Sequence, residues 1–590
     1  MDKEKTRWYK EAIIYQIYPF SYMDSNNDGM GDIQGIISKL DYIKDLGVTA
    51  IWFSPLYDSP NHDYGYDVRD YYKISEAFGT MDDFKKLLSE AHKRNLKVIM
   101  DFVANHTSNE HKWFKDVIEN PDSLYKDYYI IRKGIERNGA LLPPNNWVST
   151  FTGSAWERLP GSEDEFYLHL FTKEQPDLNW DNPKVREEIK KIFKFYLDMG
   201  VDGFRLDVVN IFSKVEGLPS DSTLGAKGMK YYVDGPHIHE YLHEVNEDVI
   251  SKYDSMTVGE TMKVHDEDAL LFVSEESGEL DTIFNFSHLT SDSISGLAVL
   301  PKKFNLLQFK EGVAGPQEKL FGKGWNTLVL ENHDQPRSNS RFSFDTANFR
   351  YEISTMLPLM MFMQWGTPFI FEGEEIGMTN ANFDNIDQYK DPVSHYIYNL
   401  MKKYLFPKKL IMKCMKKGAR DNARVPMQWS SEINAGFSQG TPWQDANPNY
   451  KEINVEADLK SENSIIDFYK KVIAIKKENK TAIYGDFKEY NHNDRNIYSY
   501  SRTLDSDHLF VVANFKNTEE IYKIPSELLK EDLKAVLSNY QDTAIKDSAI
   551  VLAPYQATLY SYKDSAPDSE KGSIEEKETE DEVQIIGEGA

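Results

Sequence analysis

Short apolar runs alternate with amphipathic helical stretches over most of this chain. The apolar runs lie at residues 13–18, 49–55, 96–103, 201–206, 255–260, 281–286, 326–331 and 367–371. Between them, segments such as 36–46, 82–94 and 183–200 carry apolar residues at helical spacing and end at or near Gly or basic residues. Eight strands that alternate with helices predict a parallel (β/α)8 TIM barrel, in which functional side chains gather at the C-terminal ends of the strands.

Two regions lack this alternation of predicted strands and helices. Residues 107–179 are irregular and rich in Pro, Asn, Trp and Tyr, which predicts an inserted subdomain after the third strand. Residues 490–562 show short alternating runs, which predict a C-terminal antiparallel β-sandwich. The predicted division is therefore 1–106 and 180–489 for the barrel, 107–179 for the subdomain, 490–562 for the sandwich and 563–590 for an acidic disordered tail.

Composition narrows the possible partners. The chain has 590 residues and a formal net charge of −27, which argues against nucleic acid and against an anionic membrane surface. Cys414 is the single cysteine, so an intrachain disulfide is excluded. The N-terminal sequence lacks the apolar core of a signal peptide, and no apolar run is long enough to span a bilayer. We therefore expect a soluble, cytoplasmic, monomeric protein with no organic cofactor.

The stretch 201–210 (VDGFRLDVVN) carries the clearest chemical signal. Arg205 and Asp207 are two residues apart on a predicted strand, so they point to the same face. Such a pair is either a buried structural ion pair or a reactive carboxylate whose pKa the arginine lowers. The ends of other strands favour chemistry, because Glu260 and Asp334 also end apolar runs, and His106 and His333 occupy two of the same ends. Carboxylates that converge on one barrel rim suit glycosidic cleavage, in which one attacks the anomeric carbon and another protonates the leaving oxygen.

A second cluster of oxygen ligands follows the first strand. Asp24, Asn26, Asp28 and Asp32 alternate around Gly29, and the carbonyl of Met30 could join them. This spacing fits a hard cation such as Ca²⁺ in a structural role, although Gly35 replaces the bidentate Glu that closes an EF-hand loop. The alternative is a loop of Asx turns without metal.

Four motifs in order give a specific resemblance. They are DFVANH at 101–106, GFRLDVVN at 203–210, VGE at 258–260 and ENHDQPR at 331–337, and a fifth, QPDLN at 175–179, ends the inserted subdomain. The chain resembles the α-amylase family of glycoside hydrolases, and within it the oligo-1,6-glucosidase branch (isomaltase, dextran glucosidase), from Trp8 to about Tyr562. This resemblance implies Asp207 as nucleophile, Glu260 as general acid/base and Asp334 as transition-state stabiliser. It also implies a calcium site at the 24–32 loop and a glucose pocket formed by Asp63, Tyr66, His106, Arg205, His333 and Arg424.

The residue after the implied nucleophile bears on the linkage. In this branch Val208 is similar to the residue of the α-1,6-specific members, whereas α-1,4 enzymes often carry Ala or Thr there. One side chain at this position is worth about 1–3 kcal/mol of discrimination between linkages. Two departures from the branch, Thr261-Met262-Lys263 after Glu260 and Glu372 in place of a common Gln, could face the leaving group.

The first hypothesis is an exo-acting, retaining α-glucosidase that cleaves α-1,6 bonds at the non-reducing end of isomaltooligosaccharides. The alternatives within the family are a trehalose-6-phosphate hydrolase and a sucrose-acting hydrolase or isomerase. A non-enzymatic binding module is disfavoured because all three acids are present.

Overall fold

The computed structural model describes residues 7–151, 153–223, 225–262, 266–294, 297–529, 532–541 and 545–563. The predicted tail at 563–590 lies outside these residues except for Lys563. The fold class is confirmed, since eight parallel strands form one sheet in the order β6-β5-β4-β3-β2-β1-β8-β7, and a parallel bridge between Ile283 and Asn326 closes it into a barrel. The strands are β1 (Ile14–Ile17), β2 (Ala50–Phe53), β3 (Lys97–Phe102), β4 (Gly203–Leu206), β5 (Met256–Glu260), β6 (Thr282–Phe284), β7 (Thr327–Val329) and β8 (Thr367–Phe371).

The strands are buried on both faces, so they read as continuous apolar runs rather than alternating ones. The longer helices that cover the barrel are Met81–Lys93, Pro183–Met199, Ile238–Asp248, Leu306–Leu320, Arg350–Phe362 and Ile465–Glu478.

Local sequence signals fix several helix ends. Thr80 and Asp83 form a capping box at the start of Met81–Lys93. Gly200 adopts a left-handed conformation that ends Pro183–Met199 directly before β4. The predicted helix at 36–46 is instead two short helices, Ile33–Ser38 and Leu40–Leu46, which meet at Lys39, and Asp32 caps the first of them.

The segment after β3 contains the helix Lys112–Glu119 and a three-stranded antiparallel sheet of Ile131–Lys133, Glu165–Leu168 and Trp156–Arg158. Antiparallel bridges join His106 to Asp177 and Tyr129 to Leu178. These bridges hold Asp177 and Leu178, near the end of the segment, beside His106, which follows β3, and beside Tyr129.

A helical hairpin formed by Pro392–Lys403 and Lys408–Gly418 follows β8. The C-terminal part of the chain forms two antiparallel sheets. The five-stranded sheet has the order Lys488–Tyr490, Ile497–Leu504, Asp507–Asn514, Ala557–Lys563 and Lys534–Ser538, and the smaller sheet contains Glu520–Lys523, Ala549–Leu552 and Ile545–Lys546.

A buried arginine joins this C-terminal part to the barrel. Arg502 donates hydrogen bonds to the carbonyl oxygens of Met363 (2.7 Å), Ala482 (2.9 Å) and Gly485 (2.6 Å). These carbonyls come from the end of a barrel helix and from the link into the sheets, so one side chain ties the two parts together. Among the described residues, no helix is long and apolar enough to cross a membrane.

Candidate active site

The C-terminal ends of β3, β4 and β5 meet at Arg205. This residue is 1% exposed, and its register neighbours are Asp101 on β3 and Val258 on β5. Arg205 Nη1 donates to Asp101 Oδ1 at 2.8 Å and to Asp207 Oδ1 at 2.7 Å, and Nη2 lies 2.6 Å from Glu260 Oε2. One guanidinium group therefore holds three carboxylates and fixes the positions of Asp207 and Glu260 relative to each other.

Three carboxylates around one cation leave excess negative charge in a buried place. Burial, reinforced by the charges of Glu260 and Asp101 and opposed by Arg205, raises the pKa of Asp207 well above its usual value. Burial likewise raises the pKa of Asp101 to about 6, again against the effect of Arg205. Arg205 does lower the pKa of Asp207, as expected from the sequence, but burial and the charges of Glu260 and Asp101 outweigh this effect, so the net shift is upward.

The end of β7 places His333 and Asp334 on the opposite side of this cluster. His333 Nε2 lies 2.6 Å from Tyr66 Oη, and His333 Nδ1 lies 2.8 Å from Gln16 Nε2. Tyr66 Oη also donates to Asp101 Oδ2 at 3.1 Å, so it links the two groups of residues. Burial lowers the pKa of His333 to about 3, which keeps the imidazole neutral near pH 7.

Asp334 lies between a histidine and two arginines. Its carboxylate is 3.2 Å from His333 Nε2, 2.8 Å from Arg420 Nη1 and 2.6 Å from Arg424 Nη2. Burial would raise its pKa, but His333, Arg420 and Arg424 outweigh burial and hold the pKa of Asp334 far below the usual value. Asp334 is thus kept ionised, and the shift of its pKa is opposite in direction to that of Asp207.

The two arginines also reach a second acid. Arg420 Nε is 2.6 Å from Asp391 Oδ2, and Arg424 Nη1 is 3.5 Å from the same oxygen. Asp63 is more distant, with Oδ1 3.9 Å from Arg420 Nη2. Burial raises the pKa of Asp63 to about 7, since the arginines offset only part of the desolvation. For Asp391 the two arginines outweigh burial and lower the pKa. Two acids beside the same arginine therefore have pKa shifts of opposite direction.

His106 lies where the inserted segment returns to the barrel. His106 Nε2 is 3.0 Å from the Tyr66 carbonyl oxygen and 3.0 Å from Gln175 Nε2. Gln175 Nε2 also donates to Asp63 Oδ2 at 3.1 Å. Burial lowers the pKa of His106 to about 4. His106 and Gln175 thereby hold Asp63 and the Tyr66 backbone in place on this side of the site.

Val208 adopts an unusual backbone conformation directly after Asp207. Its φ is 39° and ψ 45°, in the left-handed region that a β-branched residue rarely enters. The side chain belongs to a buried cluster built mostly by the inserted segment, including Leu168 and Phe171, with Met262 packed at its edge. The Val208 N–H donates to Glu260 Oε2 at 3.4 Å, so this residue connects two of the predicted catalytic acids.

The two departures from the oligo-1,6-glucosidase branch have different positions. Glu372 is fully buried, and its Oε2 accepts a hydrogen bond from the Tyr18 N–H at 2.9 Å. The prediction that Glu372 faces the leaving group is therefore wrong. Thr261 is buried and Met262 packs at the edge of the cluster that contains Val208, whereas Lys263 lies outside the described residues.

The 24–32 loop uses most of its predicted ligand oxygens within the protein. Asp24 accepts hydrogen bonds from the N–H groups of Asn26, Asn27 and Gly29 and from Ser438 Oγ, which matches the four lone pairs of a carboxylate. Asp32 accepts from the Ser25 and Gly35 N–H groups. In this conformation Asn26 and Asp28 keep spare lone pairs, since Asn26 Oδ1 and each oxygen of Asp28 accept one hydrogen bond. The loop as it stands thus fits a cation only in part.

A different acidic cluster could hold a metal by geometry alone. Among the described residues, Glu187, Glu244 and Asp248 are the one set of three whose carboxylate oxygens lie within 4.8 Å of one another. Lys190 Nζ pairs with all three of them, at 2.9 Å from Glu244 and 2.7 Å from Asp248. This lysine already neutralises the cluster, which we therefore interpret as an ion-pair network.

Every predicted catalytic and pocket residue falls in this one region, while the 24–32 loop packs against residues 437–443. Sequence reasoning missed Asp391, Arg420 and Gln175 as parts of the site. Gln175 begins the quoted motif 175–179, and Arg420 lies four residues before the predicted pocket residue Arg424, so their positions in the sequence were a usable signal. Asp391 carries no such signal.

The chain is similar to known proteins over almost its whole length. The model of the α-amylase catalytic domain matches residues 16–485, and that of the SusG-type α-amylase C-terminal domain matches residues 497–559. The chain is 47% identical over 560 residues to an oligo-1,6-glucosidase of Parageobacillus thermoglucosidasius, covering 94% of this chain and 98% of that protein. It is 43% identical to a trehalose-6-phosphate hydrolase of Bacillus subtilis, covering 95% and 99%.

Solved structures give the same result. The trehalose-6-phosphate hydrolase of Bacillus licheniformis superposes with a TM-score of 0.89 at 43% identity, covering 94% of this chain and all of that one. The isomaltulose synthase of Klebsiella sp. LX3 superposes with a TM-score of 0.90 at 38% identity, covering 95% and 100%. The chain therefore belongs to the α-amylase family of glycoside hydrolases.

Proposed function

We propose that this enzyme is an exo-acting, retaining α-glucosidase that hydrolyses α-1,6-glucosidic bonds at the non-reducing end of isomaltooligosaccharides. The observation that carries the proposal is the joining of Asp207 and Glu260 through the single guanidinium of Arg205, opposite an ionised Asp334. The 45–47% identity to three proteins named oligo-1,6-glucosidase supports the same activity.

In this proposal Asp207 attacks the anomeric carbon of the terminal glucose while Glu260 donates a proton to the leaving oxygen. The bond to the aglycone breaks as a covalent bond from Asp207 to glucose forms, and Glu260, now ionised, takes a proton from the water that releases glucose. Because Arg205 touches both carboxylates, it can follow the negative charge as the charge moves from one to the other. Asp334 stabilises the positive charge that develops on the sugar ring.

The network beside Asp334 suggests why the enzyme acts at a chain end. Arg420, Arg424, Asp391 and Asp63 form a continuous charged wall, tied to the inserted segment through Gln175. Fixed carboxylates and guanidinium groups bind sugar hydroxyls through charge-assisted hydrogen bonds. In this proposal the wall binds the hydroxyls of a terminal glucose and ends the pocket on this side, which would favour exo cleavage.

The α-1,6 preference is assigned to Val208. Its side chain belongs to the apolar cluster of the inserted segment, and Met262 packs at the edge of that cluster, so the wall of the site directly after Asp207 is apolar. A trehalose-6-phosphate hydrolase would need free cations for the phosphate. Arg205, Arg420 and Arg424 are each paired with carboxylates, and hence they supply none.

A panel of substrates tests the proposal. We expect glucose release from isomaltose and isomaltotriose at least tenfold faster, in kcat/KM, than from maltose, sucrose, trehalose or trehalose 6-phosphate. The sugar should first appear as α-glucose by NMR, since retention gives the α-anomer. Preference for trehalose 6-phosphate, or formation of isomaltulose from sucrose, would replace the proposal by one of the alternatives that the relatives represent.

We further propose that the 24–32 loop binds Ca²⁺ through Asp24, Asn26, Asp28, Asp32 and the Met30 carbonyl oxygen. Binding would require the ion to replace some of the N–H donors on Asp24, because that carboxylate is saturated within the protein. A ligand of the folded state raises the melting temperature by mass action. We expect chelation to lower the melting temperature of the parent but not of Asp28→Ala, and equal melting curves with and without chelator would show that the loop is held by its own hydrogen bonds.

The cytoplasmic location and the monomeric state stay predictions from the sequence.

A further inference from the structure

The helical hairpin after β8 has a charge opposite to that of the rest of the protein. Residues 392–418, here called the basic hairpin, contain seven lysines and no Asp or Glu, in a chain whose formal net charge is −27. The lysines are Lys402, Lys403, Lys408, Lys409, Lys413, Lys416 and Lys417. Among the described residues, the ion pair that these lysines form is the one between Lys416 and Asp384, at 2.5 Å. Most of this positive charge is therefore available to an external anion.

The tip of the basic hairpin also exposes large apolar side chains. All residues from 402 to 410 are exposed, and Tyr404 and Leu405 are 67% and 89% exposed. Phe406 and Leu410 add to the same patch. Apolar side chains clustered between lysines mark an interaction surface rather than a solvated turn. The partner should be both acidic and apolar.

The base of the hairpin reaches the active site. Asp391 accepts a hydrogen bond from the Val393 N–H at 2.8 Å, which caps the first helix, and its carboxylate pairs with Arg420. Arg420 follows the second helix by two residues and pairs with Asp334 at 2.8 Å. The two ends of the hairpin are thus flanked by Asp391 and Arg420, two residues of the pocket wall.

The chain itself contains a segment with the required chemistry. Residues 564–590 carry ten acids and two lysines, and six of the acids lie between 575 and 582. The apolar residues Val583, Ile585 and Ile586 follow immediately. We propose that this acidic tail docks in cis on the basic hairpin, with its acids on the lysines and its apolar residues on the Tyr404–Leu405–Phe406 tip.

Connectivity favours the tail of the same chain over other occupants. The tail begins after Lys563, at the end of the last strand, and 27 residues can span about 90 Å when extended. A tethered segment acts at an effective concentration of about 1 mM, so weak contacts suffice. An anionic membrane or a second copy would in contrast bring the negative charge of the whole protein into repulsion.

A peptide of residues 564–590, labelled with fluorescein at its N-terminus, tests the proposal by fluorescence anisotropy. The first titration uses the chain ended at Lys563, and the second uses the full chain. We expect the shortened chain to bind the peptide, and the full chain to bind it at least tenfold more weakly because its own tail competes. Salt at 0.5 M should weaken binding at least tenfold, because the contact is electrostatic.

Variants of the shortened chain locate the contact. K402E/K403E/K408E/K409E should reduce peptide affinity at least tenfold, and the matched control K402R/K403R/K408R/K409R should retain it. Leu405→Ser should weaken binding with no change in net charge. Circular dichroism and the melting temperature show that each variant is folded.

Three results would overturn the proposal. One is equal peptide affinity of the shortened and full chains, and another is unchanged affinity in the four-fold Lys→Glu variant. The third is dimerisation of the full chain that disappears on tail removal, since it would place the tail on a second copy. If vesicles of phosphatidylglycerol and phosphatidylcholine bind the full and shortened chains equally through the basic hairpin, the surface belongs to a membrane instead.

Discussion

Asp63 and Asp391 offer a matched pair of substitutions around one arginine. Both carboxylates are buried and lie near Arg420, yet burial raises the pKa of Asp63 to about 7, whereas Arg420 and Arg424 overcome burial and lower the pKa of Asp391. We predict that Asp63→Asn stabilises the protein and that Asp391→Asn destabilises it. Both substitutions should reduce activity, because both residues belong to the proposed glucose pocket.

The magnitude follows from proton linkage. A carboxyl group whose pKa is raised from 3.8 to about 7 by folding contributes stability that is fully present below pH 3.8 and is lost as the pH rises through 7. Relative to a neutral side chain, the ionisable Asp63 lowers the free energy of unfolding by about 2 kcal/mol at pH 5 and by about 4 kcal/mol at pH 8. At about 2.1 cal/mol/K of unfolding entropy per residue, a barrel of this size changes its melting temperature by about 1 °C per kcal/mol. Asp63→Asn should therefore melt about 2 °C above the parent at pH 5 and about 4 °C above it at pH 8.

Asp391→Asn is the control, for which we expect a change in melting temperature of the opposite sign. A carboxyl group whose pKa folding lowers contributes stability above its unfolded pKa, and this stability is lost as the pH falls through the folded value. The Asn variant should hence melt below the parent by a constant amount between pH 5 and pH 8. Differential scanning fluorimetry at constant ionic strength measures both shifts. The electrostatic reasoning fails if Asp63→Asn melts below the parent at pH 8, or if its gain does not grow with pH.

Three further predictions concern the reaction. Asp207→Ala should reduce kcat on isomaltotriose at least 10³-fold with the melting temperature no lower than that of the parent, and residual activity above that level would contradict its role as nucleophile. Because burial and the charges of Glu260 and Asp101 raise the pKa of Asp207, the acid limb of kcat/KM should lie well above the usual carboxyl pKa of about 3.9, and Asp101→Asn should move this limb to lower pH; a limb at the usual carboxyl pKa in the parent would refute the charge sharing. Val208→Thr should raise the ratio of maltose to isomaltose hydrolysis about tenfold, and an unchanged ratio would remove Val208 from the account of linkage.

The barrel was predictable because its evidence is local. Each strand is a continuous apolar run, and helix ends carry their own signals, such as Thr80 with Asp83 and the left-handed Gly200. The convergence of Asp207, Glu260 and Asp334 followed from one rule, since the C-terminal ends of parallel strands meet on one barrel face.

What could not be predicted depends on contacts across long sequence distances. Asp391 has no motif, and it joins the site only because the basic hairpin returns the chain to Arg420. The pKa of Asp207 is raised by burial and by the nearby charges of Glu260 and Asp101, whereas the adjacent Arg205 alone suggested the opposite direction. The burial of Glu372 was also not predictable, because its occurrence in place of a common Gln gave no sign that it is fully buried.

The conformation of Val208 is the part of the site least visible in sequence and most informative about mechanism. A β-branched residue at φ 39° costs about 1–2 kcal/mol relative to an extended one, and this cost falls directly after the proposed nucleophile. An extended Val208 would continue β4, whereas the observed turn redirects the chain directly after Asp207. The Val208 N–H, which the peptide unit shared with Asp207 orients, donates to Glu260 Oε2 at 3.4 Å. The Val208 side chain is buried in the apolar cluster of the inserted segment, so packing against this segment maintains the strained turn. The inserted segment therefore contributes to the site in two ways, since Gln175 contacts Asp63 and His106 and the apolar cluster supports the turn that follows Asp207.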